Sequence, residues 1–141
     1  MKDTNNLLSH NLWSGSEYEN KTNEIIPNGL TIIPSNEFSS IGETSFKIIR
    51  TGTNNYLSID IKSLLTNNKS YTVYMDIYSP TTEGAVGLRD TNGSTTVSYS
   101  FGEGIQTVSV TKTFTLSGIC YIQLTCSTGP VFIDNICLVE S

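Results

Sequence analysis

The sequence predicts an all-β protein, an antiparallel sandwich or barrel of about eight or nine strands. Three observations predict it. Segments in which apolar and polar residues strictly alternate recur along the chain, the signature of half-buried strands. No stretch carries a convincing helical period. Gly, Pro and Asn clusters punctuate the chain at regular intervals, as turns between short strands require. At 141 residues the expectation is a single domain, 1–141, long enough to bury a real core.

The elements follow in order. The opening holds two apolar pairs, Leu7-Leu8 and Leu12-Trp13, and the segment 17–23 is polar and irregular. Gly29 to Ile33 reads as a short strand bounded by Pro27 and Pro34, the pattern of an edge strand or strand terminus. Ser45–Thr51 and Asn55–Ile61 follow, the second alternating Leu57, Ile59 and Ile61 against Tyr56, Ser58 and Asp60. Leu64-Leu65 beside Asn67-Asn68 reads as a turn with an apolar plug or as one helical turn. Tyr71–Tyr78 is the clearest strand, with Tyr71, Val73, Met75 and Ile77 on one face and Thr72, Tyr74, Asp76 and Tyr78 on the other. Ala85–Asp90 and Thr95–Phe101 flank Asn92-Gly93, which suits the positive φ angles of a tight hairpin turn. Gln106–Leu116 alternates except at Lys112, which is expected to mark where that strand leaves the core. Cys120–Cys126 alternates Cys120, Ile122, Leu124 and Cys126 against Tyr121, Gln123 and Thr125.

The last stretch, Val131 to Val139, begins in one phase and ends in the other. One extra residue at Asp134-Asn135, a β-bulge, returns Ile133, Ile136 and Leu138 to a common side. This reading makes it a closing strand that aims a carboxylate somewhere definite. The alternative places Asp134 in a turn between two short strands.

Composition narrows the function. Charged residues make up 15% of the chain, against roughly 25% in an average domain. Short uncharged side chains replace them, as on β-rich extracellular and virion proteins. The net charge of −5 is spread without runs, so nucleic acid is not an expected partner. No apolar stretch approaches the roughly 20 residues that span a bilayer, so no membrane insertion is expected. The first residues hold no hydrophobic signal core. The chain therefore works where it is made, is a domain of something longer, or leaves the cell by another route.

Cys120, Cys126 and Cys137 all lie in the last quarter. The first two share a strand at a separation of six residues, about 20 Å when extended, too far to bond. Their spacings fit no zinc motif. Cys137 could bond Cys120 or Cys126 only if the two last strands are neighbours or face each other across the core; the alternative reads all three as buried free thiols acting as small apolar side chains.

Catalysis finds little support. The single histidine, His10, has no serine or cysteine nucleophile motif around it and no acid to orient it. Asp76 and Asp134 are the carboxylates that fall on regular strands near a candidate face, but a glycosidase acid needs a tight pocket that raises its pKa. Gly102-Glu103-Gly104 alone is a loop and not a phosphate cradle.

The order of elements resembles the jelly-roll carbohydrate-binding modules of the galactose-binding-like group, especially the family 4 and 9 type. The resemblance runs through Asn6-Leu7-Leu8-Ser9-His10-Asn11-Leu12-Trp13, Thr44-Ser45-Phe46-Lys47-Ile48 and Lys69–Tyr74. It ends in Val131-Phe132-Ile133-Asp134-Asn135-Ile136-Cys137-Leu138. It implies a jelly-roll sandwich without catalytic activity that binds a glycan or polysaccharide on an open sheet face. It also implies a structural Ca2+ between the closing strand and the N-terminal segment, held by Asp134 with Glu17, Asn11 or carbonyls near Trp13. The alternative for Asp134 is a bulge carboxylate bonded to nearby backbone N–H groups.

Sugar binding needs aromatic faces and short polar groups that satisfy hydroxyls. Tyr74, Asp76 and Tyr78 offer both on one face. Arg89, Tyr121 and Gln123 join them if their strands share that sheet. The alternative makes the tyrosines ordinary solvent-face sheet residues. Trp13 reads as core before platform, and the three Asn-X-Ser/Thr sequons at Asn20, Asn68 and Asn92 matter only in a secretory eukaryotic setting. The rival function is a structural or adhesive domain of a virion or cell surface, of fibre or capsid-decoration type. It would form a homo-oligomer or attach to a larger assembly. Either function places the chain outside the cell, at a cell surface or on a virion.

Overall fold

The computed structural model describes residues 7–8, 25–39, 44–51, 56–90, 96–116, 118–127 and 129–141. His10, Asn11, Trp13, Glu17, the sequon at Asn20 and the hairpin turn at Asn92-Gly93 lie outside them. Ten strands run through the described residues and divide into two five-stranded sheets, packed as a sandwich. The front sheet is ordered β1 (Ile25–Asn28), β4 (Tyr56–Asp60), β9 (Cys120–Cys126), β6 (Gly84–Asp90), β7 (Val97–Phe101). The back sheet is ordered β2 (Leu30–Ser35), β3 (Ser45–Arg50), β10 (Val131–Glu140), β5 (Ser70–Ser79), β8 (Gly104–Thr113). Every pairing is antiparallel. Lys62–Leu64 forms one 3-10 turn. No helix among the described residues is long and apolar enough to cross a membrane.

Alternation builds the core as expected. Tyr71, Val73, Met75 and Ile77 of β5 point inward and meet Cys120, Ile122, Leu124 and Cys126 of β9 in one buried cluster. Burial of each large apolar side chain stabilises the fold by about 1.5–3 kcal/mol. Tyr71 keeps its hydroxyl satisfied by accepting the Thr66 N–H at 2.6 Å. The closing strand is bulged where expected: Asp134 pairs with Asp76, Cys137 with Tyr74, and the register shifts between them. Asn135 sits at φ 53, and Ile133, Ile136 and Leu138 all reach the core. Asn135 is thus the residue whose backbone absorbs the extra step.

Three details differ from expectation. The short strand expected at 29–33 is β2, but a further strand, β1, precedes it, and Gly29 at φ 74 turns the chain from the edge of the front sheet to the edge of the back sheet. Pro27 and Pro34 therefore lie inside β1 and β2, and both are edge strands, where a missing N–H is tolerated. Lys112 does not mark an exit from the core. It is buried on the inner side opposite Tyr71, its ammonium 5.6 Å from the Phe114 ring centre, and Phe114 beyond it is fully buried. All three cysteines are buried free thiols. Burial pushes the Cys120 and Cys126 thiols up, with Asp90 adding to the rise at Cys120.

Candidate functional site

The outer face of the front sheet is a mixed surface of half-buried and exposed side chains. Leu57 and Ile59 of β4 face inward, so Tyr56, Ser58 and Asp60 face outward; Tyr121, Gln123 and Thr125 of β9 and Ala85, Gly87 and Arg89 of β6 do the same. Register aligns them in rows across the strands. Tyr56, Thr125, Ala85 and Ser100 form one, Ser58, Gln123, Gly87 and Ser98 the next, and Asp60, Tyr121 and Arg89 the third. Neighbours in a row stand about 4.5–5.5 Å apart. The Arg89 guanidinium lies 5.9 Å from the Tyr121 ring centre, which orients both groups. Asp60 accepts the Lys62 N–H at 3.1 Å, which fixes that carboxylate. Ser58 and Gln123 spend no side-chain hydrogen bond on other described residues. Tyr56 and Tyr121 are half-buried and stand about 14 Å apart, four residues along the strands and one strand over.

Tyr74, Asp76 and Tyr78 face outward as expected, but on the back sheet. The six candidate residues therefore do not form one platform. They fall into two triads on opposite outsides of the sandwich, because the chain crosses between sheets from β5 to β6 and again from β9 to β10.

The back triad is also engaged by its neighbours. Tyr78 stacks on Phe132 at 5.6 Å with a 20° interplanar angle, and Phe38 meets it at 5.5 Å. Lys47 stands 5.5 Å from the centre of the Phe132 ring and bonds Glu37 at 2.6 Å, which holds the Glu37 carboxyl below its ordinary range. Asp76 accepts from Thr107 Oγ1 at 2.7 Å and from Asn135 Nδ2 at 3.0 Å. A cleft of about 510 Å³ lies beside it, lined by Phe38, Asp76, Ile105, Gln106 and Thr107. Asp134, directly across from Asp76, is fully buried and does not line that cleft. The two carboxylates therefore do not share a reaction site.

Asp134 has other buried oxygens near it in the chain and across the sheet. Ser45 continues β3 one step beyond the Ile133–Phe46 pair, which brings it beside Asp134. Thr44 Oγ1, Ser45 Oγ and Asn135 Oδ1 are buried with no hydrogen-bond partner among the described residues. No three of His, Cys, Asp and Glu gather as metal ligands among those residues. Any cation here would rest on one or two carboxylates plus hydroxyl and amide oxygens, a set that calcium accepts.

Sequence reasoning missed Tyr56 and Phe38 as site residues. Tyr56 was visible in its strand's alternation, but nothing local tells which strand lies beside it. Phe38 sits in a connection with no periodic signal.

No protein-family model and no curated protein matches the sequence. Solved structures do match in fold. The CBM22-1 xylan-binding domain of Paenibacillus barcinonensis Xyn10C superposes with a TM-score of 0.69 at 11% identity, covering 84% of this chain and 86% of its own. The cellotriose-bound module CBM6cm-2 of Cellvibrio mixtus lichenase 5A gives 0.52 at 9% identity, covering 81% and 88%. The enzymatically active domain of bacteriophage CBA120 tailspike protein 4 gives 0.68 at 14% identity, covering 96% of this chain and 21% of that one. At these identities the likeness shows the fold: the β-sandwich of carbohydrate-binding modules. Families 22 and 6 stand here where the motif order led us to expect the family 4 and 9 type.

Proposed function

We propose that the chain is a non-catalytic carbohydrate-binding module and that its glycan lies on the outer face of the front sheet. The observation that carries this reading is the convergence of Tyr56, Tyr121, Gln123, Arg89, Asp60 and Ser58 on one face, with Asp60 and Arg89 exposed and the others half-buried. The tyrosine rings would receive sugar C–H groups, Gln123 and Arg89 would donate to ring and hydroxyl oxygens, and Asp60 would accept from hydroxyls. Back-sheet Tyr74, Asp76 and Tyr78 would not take part, since Tyr78 and Asp76 already serve other side chains. Affinity for one module would lie between micromolar and millimolar, about −8 to −4 kcal/mol. The module would act outside the cell.

The test uses xylan and cello-oligosaccharides, the ligand types of the solved structures above, in affinity gels and on a glycan array. Retention of wild type, lost on Tyr121→Ala and kept on Tyr74→Ala, supports the front face. Retention lost only on Tyr74→Ala would move the site to the back sheet. A chain silent towards every glycan would sink the reading.

The tailspike likeness favours a second reading, a structural domain attached to a larger surface or virion assembly. Light scattering after size exclusion separates the two. A stable oligomer that binds no glycan supports the structural unit.

We also propose that Asp134, Asn135 and Ser45 hold a structural Ca2+. When bound, the ion would supply charge balance to the buried carboxylate. Thermal unfolding with calcium and with chelator tests this: a melting temperature unmoved by either, in wild type and Asp134→Asn alike, rules the ion out.

A further inference from the structure

The front face does not stop at the row containing Tyr56. Ser127 N–H donates to the Glu83 carbonyl at 3.0 Å, one step beyond the Gly84–Cys126 pair, so the ladder continues past the end of β6. Alternation then turns Glu83 outward two residues before Ala85, with Ser127 and Gly102 at the same level. Along β6 the outward positions read Glu83, Ala85, Gly87, Arg89, a line about 20 Å long with small residues between two opposite charges. At the Glu83 end lies a cleft of about 680 Å³, lined among others by Thr81, Glu83, Ser100, Phe101, Glu103 and Ser127. That volume sits within the roughly 300–1,000 Å³ of small-molecule sites.

The cleft's floor is fixed. A Cβ on Gly84 would stand 2.2 Å from the Thr125 carbonyl oxygen and 2.6 Å from the Phe101 ring, so the ring lies where only a glycine admits it. Its wall is fixed as well, since Ser79 Oγ donates to the Thr82 carbonyl at 2.6 Å. Ser100 belongs both to the cleft and to the row of Tyr56, which makes the two surfaces continuous. Glu83 and Glu103 are exposed and form no ion pair among the described residues. The lining holds acceptors and hydroxyls and no cation. It therefore suits a neutral polyhydroxyl ligand and repels an anion.

We infer that this cleft is an end subsite for the same saccharide chain, in which Glu83 and Glu103 accept hydrogen bonds from sugar hydroxyls beyond the stretch held on the sheet. The inference rests on the front-face reading. It predicts that affinity rises with chain length until the saccharide reaches the cleft.

Calorimetric titration with xylo- and cello-oligosaccharides from disaccharide to hexasaccharide tests it. Glu83→Gln with Glu103→Gln should weaken the longest bound oligosaccharide about tenfold and leave the shortest unchanged. Gly102→Tyr should do the same by filling the cleft, because a Cβ there meets no atom within 4 Å and the fold has room for it. Tyr121→Ala should weaken every length. If both cleft variants bind the longest chain like wild type while Tyr121→Ala weakens it, the cleft is no subsite and the face reading stands. If Tyr121→Ala changes nothing, or neither series binds, the face reading falls and takes the subsite with it. Calcium alone binding at Glu83 and Glu103, with no length-dependent sugar effect, would overturn the inference in favour of a cation site.

Discussion

The two outsides of the sandwich are built by the same rule and differ in what lies between their tyrosines. Both sheets alternate apolar and polar residues, and both put tyrosines and an aspartate outward from their central strands. On the front sheet Tyr56 and Tyr121 are half-buried, as Tyr74 and Tyr78 are on the back, and small residues stand beside them on β6 and β7. On the back sheet Phe132, Asp134 and Cys137 face outward and are nevertheless buried, and Phe38 leans onto Tyr78. An outward tyrosine therefore stays accessible or packs according to what lies over it. Periodicity along its own strand does not decide the matter.

The sharpest way to break this contrast uses thiol chemistry. Cys137 lies on the outer side of the back sheet, whereas Cys120 and Cys126 lie in the core. If the back face is truly covered, a thiol reagent should reach Cys137 as slowly as the other two, several orders of magnitude slower than after unfolding in urea. A fast-reacting Cys137 would mean the cover lifts. Next in size, Phe132→Ala should destabilise the fold by about 3–5 kcal/mol in urea denaturation, as for a core aromatic. Tyr121→Ala should remove less than about 1 kcal/mol. Equal losses would erase the distinction between the faces. In binding the order reverses: Tyr121→Ala should cost about 1.4 kcal/mol, a tenfold loss, and Tyr74→Ala almost nothing. The smallest effect concerns the Lys47–Glu37 bond. Because the Glu37 carboxyl is held low when folded, its contribution is complete above the ordinary carboxylate pKa. It fades as the pH falls through the lowered value. Denaturation midpoints of wild type and Glu37→Gln should differ slightly at neutral pH and converge in acid. A difference that survives acid would mean the contact is not ionic.

Much of the fold was legible because its signals are local. The alternation of β5 and β9, the edge prolines and the bulge at Asp134-Asn135 each follow from a few consecutive residues. The candidate site was half legible for the same reason. Alternation shows that Tyr121 and Gln123 share a face, and that Tyr74, Asp76 and Tyr78 share one. Whether two strands share a sheet depends on crossovers between distant segments, and no local pattern encodes that choice. The placement of Lys112 escaped for a related reason. Its ammonium stands over the Phe114 ring, so a charged residue occupies an inner position without ending the core.

Leu7 N–H donates to the Leu138 carbonyl at 2.7 Å, and Ser141 N–H donates to the Ser70 carbonyl at 2.9 Å. Both described ends of the chain are thus moored to the back sheet, the last of them where β5 begins. The cleft at Glu83 lies beyond the other end of β5, about 30 Å away along ten residues. Any polypeptide continuing from Ser141 would leave from one pole of the molecule while the cleft occupies the opposite pole.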